Sequence, residues 1–304
     1  MTKFRIAAGA AAGFVATMVV AAGSALAQQN VPGVGAPLPW QMGFQAPASP
    51  VMRELVNFHT FVTWLIVAIT VFVLALLVYI SWRFNAKSNP VPSKNTHNTV
   101  LEVLWTVIPI AILVIMAIPS FRLLYKQDVV PDAARVRELY GITVAGTMDV
   151  KATGNQWFWS YEYATERLAF DAFCGVGPLE GACFEQVATP TKPRLLDTTE
   201  HVVVPVNTLV RVLVTATDVI HAWAVPAFGV KIDAVPGRAN ETWFVADREG
   251  LFYGQCSELC GQGHGYMPIT VEVVSKARYD QWVTQKRADL GLPAQDGNLR
   301  FAQN

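Results

Sequence analysis

The sequence predicts a membrane-anchored protein in which an α-helical hairpin of two transmembrane helices precedes an all-β domain. Three observations support this prediction: a low share of charged residues, two long uncharged stretches, and short apolar segments in the second half of the chain. The 304 residues are 52% hydrophobic and only 15% charged, whereas soluble proteins contain about 25% charged residues. A chain of this length can hold one or two domains.

Two stretches are long and apolar enough to cross a bilayer. Residues 55–82 and residues 103–121 contain no charged side chain, and about 20 apolar residues are needed to span the hydrocarbon core. Pro109 and Pro119 predict a kinked or shortened second helix, which the surface of a partner can accommodate. A buried hairpin in a soluble protein is the alternative, but two such runs in one chain seldom occur without a bilayer.

The start of the chain predicts export. Lys3 and Arg5 provide a positive start, an apolar stretch follows, and Ala25-Leu26-Ala27 fits a cleavage site of small residues. Residues 1–27 are therefore predicted to be a removable signal peptide. A first transmembrane helix is the alternative, but Gly, Thr and Ser residues interrupt the apolar stretch.

The distribution of charge predicts an orientation and a kind of partner. The linker at residues 83–99 contains three basic residues and no acid, so the positive-inside rule places it in the cytoplasm and both termini in the periplasm. Residues 1–127 contain 8 basic and 2 acidic residues, and residues 128–304 contain 15 and 21. The net charge of −6 on the second part predicts a basic protein partner and argues against nucleic acid.

After about residue 128 the pattern becomes that of an all-β domain, because short apolar segments are separated by turn residues. The predicted strands are residues 142–151, 201–207, 209–215, 241–246 and 269–274. A terminal helix is predicted over residues 276–290, and residues 164–197 are predicted to be a long insertion. The predicted parts of the chain are the signal peptide 1–27, a periplasmic segment 28–54, the hairpin 55–127, the β domain 128–290 and a tail 291–304.

One short segment gathers most of the side chains that bind metals. Cys256, Cys260, His264 and Met267 are close together in the chain, and His221 precedes them. Thiolate, imidazole and thioether groups form a soft ligand set that suits copper. The segment therefore predicts a copper site in the exported domain.

Three alternatives compete with a pair of copper ions at these residues. A disulfide between the two cysteines would give no role to the histidine and methionine beside them. A zinc site of two cysteines and two histidines does not use a thioether, and a mononuclear blue-copper site needs only one cysteine. Two thiolates can instead bridge two copper ions, each completed by one histidine and one weak ligand, which spreads the odd electron over both metals.

The segment resembles the copper A domain of cytochrome c oxidase subunit II of the bacterial aa3 type. The likeness runs from about residue 42 to residue 285, and it is carried by residues 104–109, 154–163, 218–226, 231–238 and 253–268. The resemblance implies a cupredoxin-like Greek-key β-barrel and a place in a bacterial inner membrane. It also implies a multi-subunit oxidoreductase and proton translocase, with subunit I, subunit III, cytochrome c and membrane lipid as partners.

The resemblance further implies a binuclear centre with six ligands. Cys256 and Cys260 would bridge both copper ions. His221 and Met267 would complete the coordination of one ion. His264 and the backbone carbonyl of Glu258 would complete that of the other. The side chain of Glu258 would reach toward a magnesium ion shared with subunit I.

Two other residues gain roles from the resemblance. Trp157 would accept electrons from cytochrome c, although a core aromatic is the plainer interpretation of the residue alone. Glu102 would stand at the mouth of a proton path into subunit I, and the residue alone is equally consistent with an interfacial carboxylate.

Acidic residues around the copper site are expected to dock cytochrome c: Glu162, Asp218 and Glu200. The family often carries a second acid beside Asp218, where this chain has Thr217. Cys174 and Cys183 lie in the insertion, and an oxidising compartment favours a disulfide between them.

Three functions compete at this point: an electron-transfer subunit fed by cytochrome c, the related quinol oxidase subunit that lacks copper ligands, and a free-standing copper carrier or delivery protein. All six ligand positions are filled here, which disfavours the second, and two membrane helices with Glu102 disfavour the third. The chain has no C-x-x-C-H motif and no candidate haem ligands. The electron donor must then be a separate protein, and oxygen reduction must reside in another subunit.

Overall fold

The computed structural model describes residues 34–175, 189 and 192–293. The predicted signal peptide, Cys183 and the chain from residue 294 lie outside these described residues. Two compact units make up the chain: residues 53–129 form one, and the residues before and after them form the other.

Two long helices make up the first unit. Helix α1 spans Pro50–Arg83, with its first residues in the second unit, and helix α2 spans Thr99–Asp128. At about 1.5 Å per residue, each helix exceeds the roughly 30 Å of the hydrocarbon core, and their apolar windows are not buried against protein. Lys126 donates hydrogen bonds of 2.6 and 2.9 Å to the two carboxylate oxygens of Glu54, which ties the end of α2 to α1.

Both helices are longer than the predicted membrane stretches. The prediction ended each stretch at a charged residue, whereas helix ends depend on backbone capping. At the start of α2 the side chain of Asn98 accepts a hydrogen bond of 3.2 Å from the backbone N–H of Leu101. The helix then continues through Pro109 and Pro119, so the prolines do not shorten it.

The second unit is rich in β-strands, which form two sheets and a ribbon among the described residues. The five-stranded sheet has the order β4 (Leu168–Ala172), β3 (Phe158–Tyr163), β2 (Thr147–Asn155), β6 (Leu209–Ala216), β9 (Asn240–Val245). The four-stranded sheet has the order β1 (Val34–Gly35), β10 (Gly250–Gln255), β11 (Pro268–Val274), β5 (Val202–Pro205). The ribbon pairs β7 (His221–Val225) with β8 (Val230–Ala234).

Aromatic side chains form much of the core of this unit. The ring of Phe228, in the turn of the ribbon, stacks on Phe244 of β9 with centroids 4.4 Å apart and contacts Phe252 of β10 at 4.8 Å. Since β9 and β10 belong to different sheets, these contacts link the ribbon to both. Two helices that are long and apolar enough to cross a membrane, together with a domain built mainly of β-strands, confirm the predicted fold class.

The predicted strands were only partly right. The strand predicted at residues 142–151 lies instead at Thr147–Asn155. Helix α3 (Ala133–Tyr140), which was not predicted, ends at Gly141 with a φ of 69°, and residues 142–146 connect it to the strand. The predicted insertion at residues 164–197 contains strand β4. Other strands that the pattern missed are β1, β3, β7, β8 and β10. The predicted terminal helix is α4 (Lys276–Asp289), which Ser275 caps.

Candidate metal centre

The candidate ligands lie at one end of the β domain, where a hairpin loop meets the ribbon. Cys256 follows β10 and Met267 precedes β11, so the pairing of these antiparallel strands brings the two ends of the loop together. The backbone N–H of Cys256 donates to the carbonyl of Met267 at 3.3 Å. His221 begins β7, and a hydrogen bond of 3.1 Å from the N–H of Ser257 to the carbonyl of Ala222 ties the loop to that strand.

Three side chains form a tight cluster there. Ligand atoms of His221, Cys256 and Cys260 all lie within 4.8 Å of one another, and all three residues are buried. The two sulfur atoms are 3.9 Å apart and both thiols are free. This separation is far longer than a disulfide bond of about 2.05 Å, so both sulfur atoms are available as ligands.

The remaining predicted ligands surround the two thiols. Cys260 Sγ lies 3.6 Å from His264 Nδ1 and 3.5 Å from Met267 Sδ. Cys256 Sγ lies 3.3 Å from the carbonyl oxygen of Glu258. All six predicted ligand positions therefore converge, and this mixture of sulfur and imidazole donors with a thioether fits copper.

The surroundings of the two thiols affect their acidity in opposite ways. Burial raises the pKa of Cys256, but hydrogen bonds with His221 and with the backbone at Ala222 and Glu258 outweigh it and lower the pKa to about 7. Burial and the negative charge of Cys256 raise the pKa of Cys260 to about 12.

A carboxylate holds the buried imidazole of His221. The side chain of His221 is 0% exposed, and its Nε2 lies 2.9 Å from Asp218 Oδ1. Burial lowers the pKa of His221, but hydrogen bonds with Cys256 and Asp218 raise it above its ordinary value. The ring also packs on Gly154, where an added Cβ would lie 2.9 Å from the imidazole. Sequence reasoning missed these contacts.

Trp157 lies half-buried, in contact with the ligand loop and packed against the hydrophobic core. Its indole Nε1–H donates a hydrogen bond of 3.2 Å to the carbonyl oxygen of Cys260, and the side chain of Gln156 donates to the same oxygen at 2.9 Å. The indole covers Gly263, where an added Cβ would stand 2.4 Å from the ring.

The side chains of Glu258 and Glu102 were predicted to act outside the copper site. The side chain of Glu258 is exposed. Glu102 lies in the first turn of α2, where its Oε1 accepts a hydrogen bond of 3.3 Å from the backbone N–H of Asn98, a contact typical of helix capping. Cys174 is disulfide-bonded, and because Cys183 lies outside the described residues, the pairing of these two cysteines stays a prediction.

The three acids expected to dock cytochrome c each have a partner within the chain. Glu162 lies 2.7 Å from Lys151 Nζ, and Glu200 lies 2.7 Å from Lys286 Nζ. Asp218 lies beside His221. Thr217, which takes the place of the second family acid, donates a hydrogen bond of 2.7 Å to Asn155.

Comparison with known proteins gives matches along most of the chain. A family model described as the periplasmic domain of cytochrome c oxidase subunit II matches residues 148–274, and one described as the transmembrane domain of the same subunit matches residues 37–123.

Individual relatives agree with these matches. The chain is 46% identical to a probable cytochrome c oxidase subunit 2 of Rickettsia bellii, over 88% of this chain and 91% of the relative. It is 44% identical to cytochrome c oxidase subunit 2 of Cereibacter sphaeroides, over 90% and 89% of the two chains. It is also 44% identical to the crystallised periplasmic domain of subunit II of the cytochrome oxidase of Bradyrhizobium japonicum, with a TM-score of 0.43, over 53% of this chain and 99% of that domain.

Proposed function

The chain belongs to the cytochrome c oxidase subunit II family, and from this premise we propose that it accepts electrons from cytochrome c and passes them to subunit I. Subunit I would reduce oxygen and pump protons. As a subunit of a haem–copper oxidase, the chain is part of an oxidoreductase. The convergence of two free, buried thiols with His221, His264 and Met267 is the observation that carries the proposal.

The copper ligands would be the six groups that converge at the loop. Cys256 and Cys260 would bridge the two ions, His221 and Met267 would complete one, and His264 with the carbonyl of Glu258 would complete the other. The bound pair would supply a one-electron acceptor whose charge is shared between two metals. The protein would keep this pair in a fixed geometry, because the antiparallel strands β10 and β11 clamp both ends of the loop.

Trp157 would be the residue through which electrons arrive. Its ring is half-buried on the ligand loop, so one part contacts the loop while another part reaches solvent. A hydrogen bond of 3.2 Å connects its indole to the backbone of Cys260. The chain would therefore provide a short path from a partly exposed aromatic ring to a bridging ligand.

Contacts with other subunits are proposed for two acids. The exposed side chain of Glu258 would reach a magnesium ion shared with subunit I, since carboxylate oxygens suit that cation. Glu102 would stand at the mouth of a proton path into subunit I, even though its Oε1 also caps α2. Subunit III would be a further partner in the complex.

Docking of cytochrome c would depend on the acidic character of the head. Glu162, Asp218 and Glu200 would contribute, and the net charge of −6 from residue 128 onward would attract a basic partner over a distance. The helices would anchor the chain in a bacterial inner membrane, with the linker in the cytoplasm and the head in the periplasm.

Metal content and spectroscopy of the purified full-length chain test this proposal. We expect two copper ions per chain and an electron paramagnetic resonance signal in which one unpaired electron is shared by both. A single copper with a blue-copper signal, or zinc in preference to copper, would contradict the proposal.

A further inference from the structure

One carboxylate contacts both the predicted copper ligand and the segment that carries Trp157. Asp218 Oδ1 lies 2.9 Å from His221 Nε2, and Asp218 Oδ2 accepts a hydrogen bond of 2.7 Å from the backbone N–H of Gln156. The side chain of Asp218 is only 30% exposed, because these contacts hold it against the protein. Its two oxygens therefore join two functional segments that are far apart in the chain.

The contact with His221 determines which imidazole nitrogen is free for a metal. When Nε2 carries the proton and donates it to a carboxylate, Nδ1 keeps its lone pair. Nδ1 is the nitrogen that faces the thiol, 3.8 Å from Cys256 Sγ. Carboxylates in this position orient ligating histidines and raise their basicity, so Asp218 is placed to fix His221 in the metal-binding tautomer.

The contact with Gln156 fixes the neighbouring Trp157. Gln156 is held on both sides, since its backbone donates to Asp218 and its side chain donates to the carbonyl of Cys260 at 2.9 Å. The hydrogen bond of 2.7 Å from Thr217 to Asn155 supports the same segment from the residue beside Asp218. A shift of Asp218 would therefore move the support of Trp157 as well as that of His221.

We propose that Asp218 is a positioning residue for electron transfer, which fixes His221 for copper and fixes Trp157 against the ligand loop through Gln156. This inference rests on the proposed function. It gives Asp218 a role beyond docking, since a docking acid needs only a negative charge at the surface.

Two substitutions of Asp218 separate position from charge. Asp218→Asn removes the charge and replaces one acceptor oxygen by an amide, whereas Asp218→Glu keeps the charge but moves the carboxylate by one methylene. Glu162→Gln is the matched control, because it removes one exposed acidic charge that does not contact the ligand loop. Each variant is made in the full-length chain and assembled into the oxidase.

The readouts are copper retention against a chelator, the spectrum and reduction potential of the centre, and the rate of electron arrival at saturating cytochrome c. For Asp218→Asn we expect copper affinity to fall by about 10-fold or more, a changed spectrum, and a higher potential because a negative charge beside the centre is gone. Asp218→Glu should also change the spectrum and slow electron arrival at saturation. Glu162→Gln should leave spectrum and potential unchanged and raise only the KM for cytochrome c.

Unchanged spectrum, potential and copper affinity in both Asp218 variants, with only KM affected, would overturn the inference and leave a docking role. If Asp218→Asn does not fold, the Asp218→Glu variant tests the inference by itself. A wild-type spectrum and a wild-type rate of electron transfer in that variant would contradict the proposal that Asp218 positions His221 and Trp157. A wild-type chain without two coppers would instead contradict the proposed function, so the two failures are distinguishable.

Discussion

The indole nitrogen of Trp157 donates a hydrogen bond to the carbonyl oxygen of Cys260 at 3.2 Å, which connects a partly exposed aromatic ring to the backbone of a predicted bridging ligand. A core tryptophan and a residue for electron transfer make different demands on this position. The first needs burial among apolar side chains, and the second needs contact with both solvent and the metal loop. The ring packs against the core on one side but is not fully buried and contacts the metal loop, so its position meets the second demand.

Trp157→Gln is expected to slow electron arrival from cytochrome c by tenfold or more, which corresponds to about 1.4 kcal/mol of barrier. Copper content should stay near wild type and the melting temperature should fall only slightly, because the side chain is not a ligand and is only partly buried where it packs against the core. Rapid-mixing reduction of the centre, with a metal assay and a melting curve, measures all three. Trp282→Phe, on helix α4, is the control for loss of an indole elsewhere. A Trp157 variant that loses copper and about 3–5 kcal/mol of stability would indicate a core role instead.

Gly263→Ala is expected to displace the indole without changing it. An added Cβ would lie 2.4 Å from the ring of Trp157, so either the ring or the loop has to move. The φ of Gly263 is −89°, so the position does not need the left-handed backbone that favours glycine. Electron arrival should therefore slow while copper stays bound, as measured by rapid mixing and metal analysis. Gly265→Ala is the matched control in the same loop, since its Cβ would meet nothing within 4 Å; equal effects of the two changes would contradict the steric argument.

The membrane helices and the ligand loop were predictable because they depend on residue types at short spacing. Strand β7 was missed because all of its residues are buried, so no alternation marks it, and β10 was missed because it contains two glycines, which disfavour strands. The bond between Asp218 and Gln156 spans 62 residues. It depends on the parallel register that pairs Gly154 of β2 with Ala216 of β6, and local patterns contain no information about that register.

Cys256→Ser or Cys260→Ser is expected to abolish the binuclear centre, because each thiolate would serve both metals. Met267→Leu should retain copper but change its reduction potential, since a thioether is a weak ligand. Metal analysis and electron paramagnetic resonance of the full-length chain distinguish these outcomes. Met148→Leu, at a buried methionine of β2, controls for loss of a thioether from the core. Two coppers with an unchanged signal in either serine variant would refute bridging.

Docking of cytochrome c is expected to weaken as salt rises, because the acidic head attracts a basic partner and the screening length falls to about 8 Å at physiological ionic strength. Glu162→Gln should weaken association modestly, since Lys151 already neutralises part of the charge at 2.7 Å. Lys151→Gln should strengthen association by releasing Glu162. Oxidation rates at several salt concentrations measure both effects. Rates that do not depend on salt, or a weaker association after Lys151→Gln, would count against electrostatic docking.

His201 connects strand β5 to two carboxylates. Its Nδ1 lies 3.1 Å from Glu272 of β11, and its Nε2 lies 3.3 Å from Asp197. Burial lowers the pKa of His201, but the hydrogen bonds to Asp197 and Glu272 outweigh it and raise the pKa to about 9. Arg278 also contacts Glu272, at 3.1 Å, and Lys192 lies 3.8 Å from Asp197, so the cluster contains three cationic groups and two acids when His201 is protonated.

Because the pKa of His201 is raised in the folded state, its contribution to stability decreases as the pH rises. Below the ordinary pKa of 6.5 the full contribution is present, and it is lost as the pH rises from 6.5 through about 9. The rise of the His201 pKa from 6.5 to about 9 corresponds to a folding free energy on the order of 3 kcal/mol. We expect wild type to be more stable to heat than His201→Gln at pH 6, with the gap closing toward pH 10, because both side chains are then neutral. Melting curves of the two full-length proteins across this range measure the gap; a gap that stays constant with pH would show that His201 is not protonated in the folded protein.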